Sequence, residues 1–217
     1  MKISAQHVGV WGQDPQIDTN GRFIMNEAWA KLDFGAGFFA QLGRQTLSYD
    51  DERILGGLDW NVAGRYHDAL KLGYAKNAHQ LHFILAFNQN KEKSKGGTYY
   101  YDGAHPYKNI DVSLLFMNLG LETGDAETET SRTRYLQTFG TYVTYQPESG
   151  NWLPVQAAFY YQTGKNKNAQ SVSAFMASVK AAYAIDKQWS VSLGYDYLSG
   201  SDGEGDKFKA FDPLYGT

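Results

Sequence analysis

The clearest indication of the fold class is the stretch 79–90, HQLHFILAFNQN. Large apolar side chains occupy every second position: Leu81, Phe83, Leu85 and Phe87. Because successive residues of a β-strand point to opposite faces of a sheet, this period of two predicts a strand with one apolar face. The alternation continues for about ten residues. That is the length that a tilted strand needs to cross a bilayer, and it exceeds the usual strand of a soluble sheet.

The same alternation recurs along the chain, whereas no long segment has the capped period of an amphipathic helix. It is clear in residues 154–164, 171–184 and 188–199, and weaker in 22–33, 36–46, 65–76, 108–121 and 133–146. Residues 2–11 add one more candidate. Aromatic residues make up 15% of the chain, with 16 Tyr, and several lie near predicted strand ends, as in the girdles of outer-membrane barrels. We therefore predict an all-β, antiparallel transmembrane β-barrel with about ten strands, forming a single domain over 1–217.

Periodicity alone does not say which face of the sheet points outward. A soluble β-sandwich or lipocalin-like barrel would bury the apolar face and expose the polar one. The second face here is rich in Gln, Ser, Gly and Asn, which suits a wet lumen better than a packed core. Strand length and this polarity favour the membrane barrel.

The predicted connections divide into short turns and long loops. Barrels of the outer membrane alternate short periplasmic turns with longer external loops, and the first five connections follow that rule. Residues 89–107 and 122–132 then form two long connections in succession. A missed strand, an unusually long turn or residues absent from the chain would each explain this break.

Composition excludes several classes of protein. Twenty Lys and Arg against 23 Asp and Glu give a net charge of −3, which argues against a nucleic-acid partner. The chain has no Cys, so it has no disulfides and no thiolate metal sites. Met1-Lys2-Ile3-Ser4 lacks the features of a signal peptide, so we expect either an intracellular protein or a mature or trimmed chain. No residue pattern indicates catalysis, a metal site or a cofactor.

The most distinctive stretch is 43–69, where acids and arginines alternate. One interpretation is an infolded loop that narrows a pore, in which Arg44, Arg53 and Arg65 contact anions. The carboxylates of Asp51, Glu52 and Asp68 would hold these arginines in place. The other is a salt-bridged loop that only stabilises the barrel mouth. Alternation places Arg44 on the apolar face with Leu42 unless Gly43 marks a bulge.

Alternation identifies further candidates for a lumen. Glu27 and Lys31 lie opposite the apolar face of 22–33, and Lys71 lies opposite that of 65–76. Such charges would tune selectivity for charged or hydroxylated solutes, although any polar lumen contains some. The Tyr-rich segment 98–107 is predicted as a loop, either a carbohydrate platform or packing at the barrel mouth.

Two blocks of sequence resemble the alginate-export family of outer-membrane β-barrels. One runs from Gly43 through Arg53 and on to Arg65-x-x-Asp68-Ala69; the other comprises 194–202 and 211–215. Where the family usually has Gly after Tyr49, this chain has Asp50. The resemblance implies a barrel of about 18 strands with a positively charged lumen that passes an anionic polysaccharide. It also implies lumen or constriction roles for Arg44, Arg53 and Arg65, with Asp51 and Asp68 as partners, and a chain that is part of a larger barrel.

These observations predict a channel in the bacterial outer membrane that passes polar or anionic solutes, an acidic polysaccharide such as alginate among them. Its partners would be outer-membrane lipid and the solute, with the oligomeric state open. The main rival hypothesis is a plugged structural or adhesive barrel that binds a partner through its loops. An outer-membrane hydrolase and a soluble binding barrel are two weaker rivals.

Overall fold

The computed structural model describes residues 1–8, 22–58, 60, 64–88, 95–107, 109–125, 130–201 and 207–216. Every regular element in these ranges is a β-strand. Within them there is no helix of the length and apolarity that crossing a membrane requires.

Eleven long strands follow one another, with one short strand near the end of the chain. They are β1 Lys2–Val8, β2 Arg22–Gly35, β3 Phe38–Gln45, β4 His67–Lys76, β5 His79–Asn88, β6 Lys95–Tyr107, β7 Ile110–Asp125, β8 Thr130–Tyr145, β9 Val155–Lys165, β10 Ser171–Ala184, β11 Ser190–Leu198 and β12 Lys207–Phe208.

The strands form a single sheet in the order of the chain. Each strand from β1 to β11 pairs antiparallel with the next, and β1 and β11 stand at the two ends of this path. The short strand β12 lies parallel to β10, beside Ser171 and Val172. Up-and-down antiparallel order is the connectivity of outer-membrane barrels. The predicted fold class, an all-β antiparallel sheet of the β-barrel type, is therefore confirmed.

Strand β6 corrects the prediction of a loop at 98–107. Its backbone pairs with β5 from His79 to Asn88 and with β7 from Ile110 to Leu121. Two neighbouring strands supply the ladder that the Gly- and Pro-containing sequence does not signal by itself. The register shifts between Ala104 and Tyr107, next to Pro106, which has no N–H to donate.

The missed strand also resolves the break in the order of connections. With β6 in place, consecutive strands are joined alternately at the two ends of the sheet. Strands β2 and β3, β4 and β5, and β6 and β7 are joined at one end, and β1 and β2, β3 and β4, and β5 and β6 at the other. The predicted long loop at 122–132 is mostly strand, because β7 runs to Asp125 and β8 begins at Thr130. Among the missed strand, the long turn and the absent residues, the first explanation is the correct one.

The two faces of the sheet differ in what covers them. We call the face that packs against residues 46–66 the inner face and the opposite one the outer face. On β5 the outer face carries Leu81, Phe83, Leu85 and Phe87, all exposed, with Phe87 at 58%. Aromatic contacts join neighbouring strands on this face, as between Phe175 and Tyr197, whose ring centroids are 5.4 Å apart. A large exposed apolar face suits lipid and not water. The soluble β-sandwich and the lipocalin-like barrel would instead bury their apolar face.

The inner face of β5 and of β7 to β10 is less polar than the predicted wet lumen. Ile84, Met117 and Ala174 are completely buried, and Tyr160 and Met176 nearly so. They form one hydrophobic cluster with residues from the long connection 46–66 and from the end of the chain. Alternation assigned these residues to the correct face, but the prediction of a wet lumen is wrong for these strands, because other segments of the chain cover this face.

Candidate functional site on the inner face

Residues 46–66, the infolded loop, connect β3 to β4, and the described part of the loop, 46–58, 60 and 64–66, lies against the inner face. Leu47, Ile54 and Leu55 are each no more than 2% exposed and belong to the hydrophobic cluster. The loop closes on itself where the Tyr49 amide donates to the Leu55 carbonyl at 3.1 Å. Apolar burial therefore fixes the loop against the sheet.

Asp50 fastens the infolded loop to two strands. The Ser113 hydroxyl on β7 donates to its Oδ1 at 2.6 Å, and the Tyr160 hydroxyl on β9 donates to its Oδ2 at 3.5 Å. Its φ of +54° lies in the left-handed region, which Gly enters freely and Asp enters more readily than most residues. This backbone conformation explains why Gly suits the position. With Asp there instead, a carboxylate is available to bind the sheet.

Tyr49 makes a further contact with the inner face. Its hydroxyl lies 3.0 Å from Nδ1 of His82 on β5. The His82 ring also meets the Phe39 ring edge-on, with centroids 5.6 Å apart. A small aromatic cluster therefore joins the infolded loop to β3 and β5.

Arg53 holds the infolded loop through two carboxylates. Its Nε donates to Asp51 at 2.9 Å, and its Nη1 donates to Asp196 of β11 at 2.6 Å. Burial by itself lowers the pKa of Arg53, but the two carboxylates outweigh it, so the pKa is raised. The predicted ion pair between Arg53 and Asp51 is present. Asp196 is a second carboxylate partner of Arg53 that was not predicted.

The end of the chain lies against the infolded loop. We call residues 209–216 the terminal segment. Leu55 and Tyr215 form a parallel bridge, in which the Gly56 amide donates to the Tyr215 carbonyl at 2.9 Å. Arg65 donates to the carbonyl oxygens of Tyr215 and Gly216.

The charge of Arg65 has a different environment from that of Arg53. No carboxylate in the described part of the chain lies within salt-bridge distance of it, and its guanidinium lies 5.7 Å from the Tyr215 ring centroid. Burial lowers the pKa of Arg65 below its ordinary value. Carbonyl oxygens and an aromatic ring therefore hold this cation without cancelling its charge.

Arg44 and Asp68 lie on the outer face and not on the inner one. They are opposite each other in the β3–β4 ladder, which runs without a bulge, and their neighbours on that face are Leu42 and Leu70. Arg44 donates to both carboxylate oxygens of Asp68 at 2.8 Å, and both side chains are nearly half exposed. The predicted lumen role of Arg44 and Asp68 does not fit this position. The alternation of the sequence, which placed Arg44 on the apolar face, agrees with it.

Lys31 and Lys71 lie on the inner face on either side of Gln41. The ladder aligns Lys31 with Gln41 and Gln41 with Lys71, so that all three share one face. Lys31 contacts Asp33 at 3.1 Å, and its ammonium lies 4.3 Å from the Phe39 ring centroid. Lys71 forms no ion pair with any described carboxylate. The structure therefore brings two cations together at one level of the sheet.

Glu27 lies on the same face of β2, nearer the edge of the sheet. It pairs with Lys2 of β1 and accepts a hydrogen bond from the Trp29 indole at 3.2 Å. Its charge is thus used to join two strands.

Of the eight predicted residues, six share the inner side of the molecule, and two, Arg44 and Asp68, lie on the outer face.

A family model described as "Alginate export" matches residues 11–217, nearly the whole chain. This chain belongs to the alginate-export family. The family is one of outer-membrane β-barrel transport proteins, in agreement with the all-β sheet and its exposed apolar face. A search of curated proteins gave no match.

For this member of the alginate-export family, sequence reasoning missed three groups of the site. Asp196 alternates with Tyr195 and Tyr197, so its place on the inner face was readable, but its pairing with Arg53 was not. The place of Tyr160 on the inner face also follows from alternation, but its contact with Asp50 does not. The terminal segment carried no periodic signal, because it is irregular and binds through backbone groups.

Proposed function

We propose that this protein is a passive outer-membrane channel for polar and anionic solutes, with an acidic polysaccharide such as alginate as its substrate. Membership of the alginate-export family supports a transport role. The observation that carries the choice of an anionic substrate is the pair Lys31 and Lys71, held on the inner face at one level of the sheet.

The lysine pair is better suited than the arginines to attract a passing carboxylate. Arg53 is committed to two acids and Arg44 to one on the outer face. Lys31 keeps a side chain that is 39% exposed, and its partner Asp33 is 70% exposed, so that the contact is weak. Lys71 has no such partner among the described residues. An ammonium group attracts an anion as a point charge, without the two-point contact of an arginine that would bind the anion tightly and stop its passage.

In this proposal the infolded loop forms one wall of the path that the solute takes along the inner face. Asp50 and Arg53 tie the loop to β7, β9 and β11, and Arg65 ties the terminal segment to the loop. The path then runs along the inner face of β2 to β4, where the lysines lie. In this proposal Asp51, Arg53 and Arg65 position the wall, and Lys31 and Lys71 meet the solute.

The test is single-channel conductance of the purified protein in a planar bilayer, with and without oligo-uronates. We expect steady conductance that the oligo-uronates block. Replacing Lys71 by Gln should weaken the block about fivefold to tenfold, the loss of one charge-assisted contact. Arg44→Gln is the matched control, because it removes one positive charge from the outer face. Block that is equal in both variants would refute the role of the lysine pair.

One observation favours a second candidate, the plugged structural or adhesive barrel. The infolded loop and the terminal segment pack on the inner face of β5 to β10, and they bury Leu55 and Met117 almost completely. A correctly inserted protein without conductance would support this candidate and refute the channel.

A further inference from the structure

A cavity of about 320 Å³ lies between the inner face and the terminal segment. It is at the end of the sheet where β9 turns into β10. Its walls come from five strands and the terminal segment, and Gln162 of β9 is among the lining residues. Most of the lining is apolar and includes Leu119, Leu121, Leu136, Val172, Phe208 and Leu214. The volume is at the lower end of the range found for ligand sites, about 300–1,000 Å³. It therefore suits a single ring and not a long chain.

The mouth of the cavity carries polar groups that the fold does not use. Lys167 and Asn168 line it and are exposed. No described carboxylate forms a salt bridge with Lys167. Among the described residues, the Asn168 side-chain amide makes no hydrogen bond within the protein. One ammonium and one amide are therefore available to a ligand.

The connection that carries these groups is held in one conformation. Asn166 accepts hydrogen bonds from the amides of Asn168 and Gln170, both at 3.0 Å, through its side-chain oxygen. Arg134 donates to the carbonyl of Lys167 from the neighbouring β8. A preorganised connection loses little entropy when a ligand binds.

The opposite wall is fixed as well. Gln162 is completely buried, donates to the Asp212 carbonyl at 2.7 Å and accepts from the Asp212 amide at 2.9 Å. The Asp212 carboxylate accepts from the Leu214 amide at 2.9 Å through Oδ1. Because Asp212 itself lines the cavity, its second carboxylate oxygen can accept from a ligand hydroxyl. Phe208 and Tyr215 add aromatic surface.

We propose that this cavity binds one ring of a sugar acid. The apolar face of the ring lies against Phe208 and Leu214, its hydroxyls meet Asn168 and Asp212, and its carboxylate meets Lys167. This inference rests on the proposed transport of acidic saccharides and adds a binding site to it, separate from the lysine pair on β2 and β4. The arrangement discriminates by charge, because a neutral sugar of the same shape leaves Lys167 without its partner.

The test compares methyl glucuronide with methyl glucoside, two probes that differ only in the carboxylate. Binding is measured by saturation-transfer NMR on the protein in lipid nanodiscs. We expect the glucuronide to bind about tenfold more tightly than the glucoside, the value of one charge-assisted hydrogen bond. Lys167→Gln should remove that preference, while the control Lys165→Gln, at the end of β9 and outside the cavity lining, should keep it.

A second variant tests the location of the site. Leu136→Phe places a larger side chain in the wall and should abolish binding of both probes, whereas Leu114→Phe on the outer face should not. If Leu136→Phe fails to fold, Asn168→Ala replaces it and should weaken both probes several-fold. Equal binding of the two probes, or a preference that survives Lys167→Gln, would overturn the proposal.

Conductance measured on the same preparations separates this proposal from the proposed function. Conductance without binding would overturn the sugar-acid site and leave the channel intact. Binding without conductance would refute the channel and uphold the site.

Discussion

Arg53 in the infolded loop donates to Asp196 of β11 at 2.6 Å, although the two residues are 143 positions apart in the chain. Arg53 is also bound to Asp51 beside it. One guanidinium thus connects an early loop with the last long strand. This contact attaches the infolded loop to β11, and the hydrogen bonds of Asp50 attach the same loop to β7 and β9.

We expect Arg53→Gln to loosen the infolded loop. The variant loses both charge-assisted hydrogen bonds, so that local opening of the loop should become about tenfold more frequent. The measurement is the rate of chymotrypsin cleavage after Tyr49, which is half-buried in the intact protein. Asp196→Asn should give a smaller increase, because the Asp51 contact remains. Arg44→Gln breaks an ion pair on the outer face and is the control; an equal increase in that variant would contradict the assignment.

The strands were predictable because a period of two follows from backbone geometry alone. In β5 the alternation from Leu81 to Phe87 gave the strand and its apolar face, and the strand length together with the polarity of the other face indicated that the apolar face points outward. In β6 the sequence holds Gly96, Gly97 and Pro106, which weaken any local preference for a strand. Its neighbours on both sides supply the ladder, and that information is not contained in a window of ten residues.

The site was predictable only in part, for a related reason. Alternation identified the faces of Glu27, Lys31 and Lys71, and the charge pattern of 43–69 identified a loop held by ion pairs. The partners across the molecule depend on how the sheet brings distant segments together. Arg53 with Asp196 and Arg65 with Tyr215 are such pairs, and no spacing in the sequence encodes them.

Gly140 should be required for the position of Tyr160. A Cβ atom at Gly140 would overlap Cδ1 of the Tyr160 ring, which packs directly over it. Gly140→Ala should therefore displace the ring from the inner face and weaken its contact with Asp50. We expect a loss of about 1–3 kcal/mol in unfolding free energy, as for overpacked cores, measured by denaturant titration in detergent.

The control for this substitution is Gly200→Ala. A Cβ atom at Gly200 would meet nothing within 4 Å. If both variants unfold at the same denaturant concentration, Gly140 does not serve to admit the Tyr160 ring.

Arg65 should hold the terminal segment in place. Arg65→Gln removes the donor to the carbonyls of Tyr215 and Gly216, while the backbone bridge to Leu55 and the Gln162–Asp212 hydrogen bonds remain. Since the chain has no Cys, Leu214→Cys provides a single thiol at a half-buried position of the segment. Maleimide labelling of that thiol should become about tenfold faster in the Arg65→Gln background.

The labelling experiment has its own control. Lys187→Gln removes a positive charge from the turn between β10 and β11, at the other end of the sheet from the terminal segment. It should leave the labelling rate unchanged. A labelling rate that Arg65→Gln does not change either would mean that the other contacts of the terminal segment hold it without Arg65.

The assignment of the outer face to lipid can be tested with one strand. Phe83 is at the middle of β5 and 40% exposed, and His79 begins the same strand on the same face. Arg on a lipid face costs about 2–4 kcal/mol at the bilayer midplane and about 0–1 kcal/mol near the interface. Phe83→Arg should therefore reduce folding into lipid vesicles strongly and His79→Arg only slightly, as measured by the heat-dependent shift in electrophoretic mobility. If the outer face met water, Phe83→Arg would instead fold as well as His79→Arg and improve solubility without detergent.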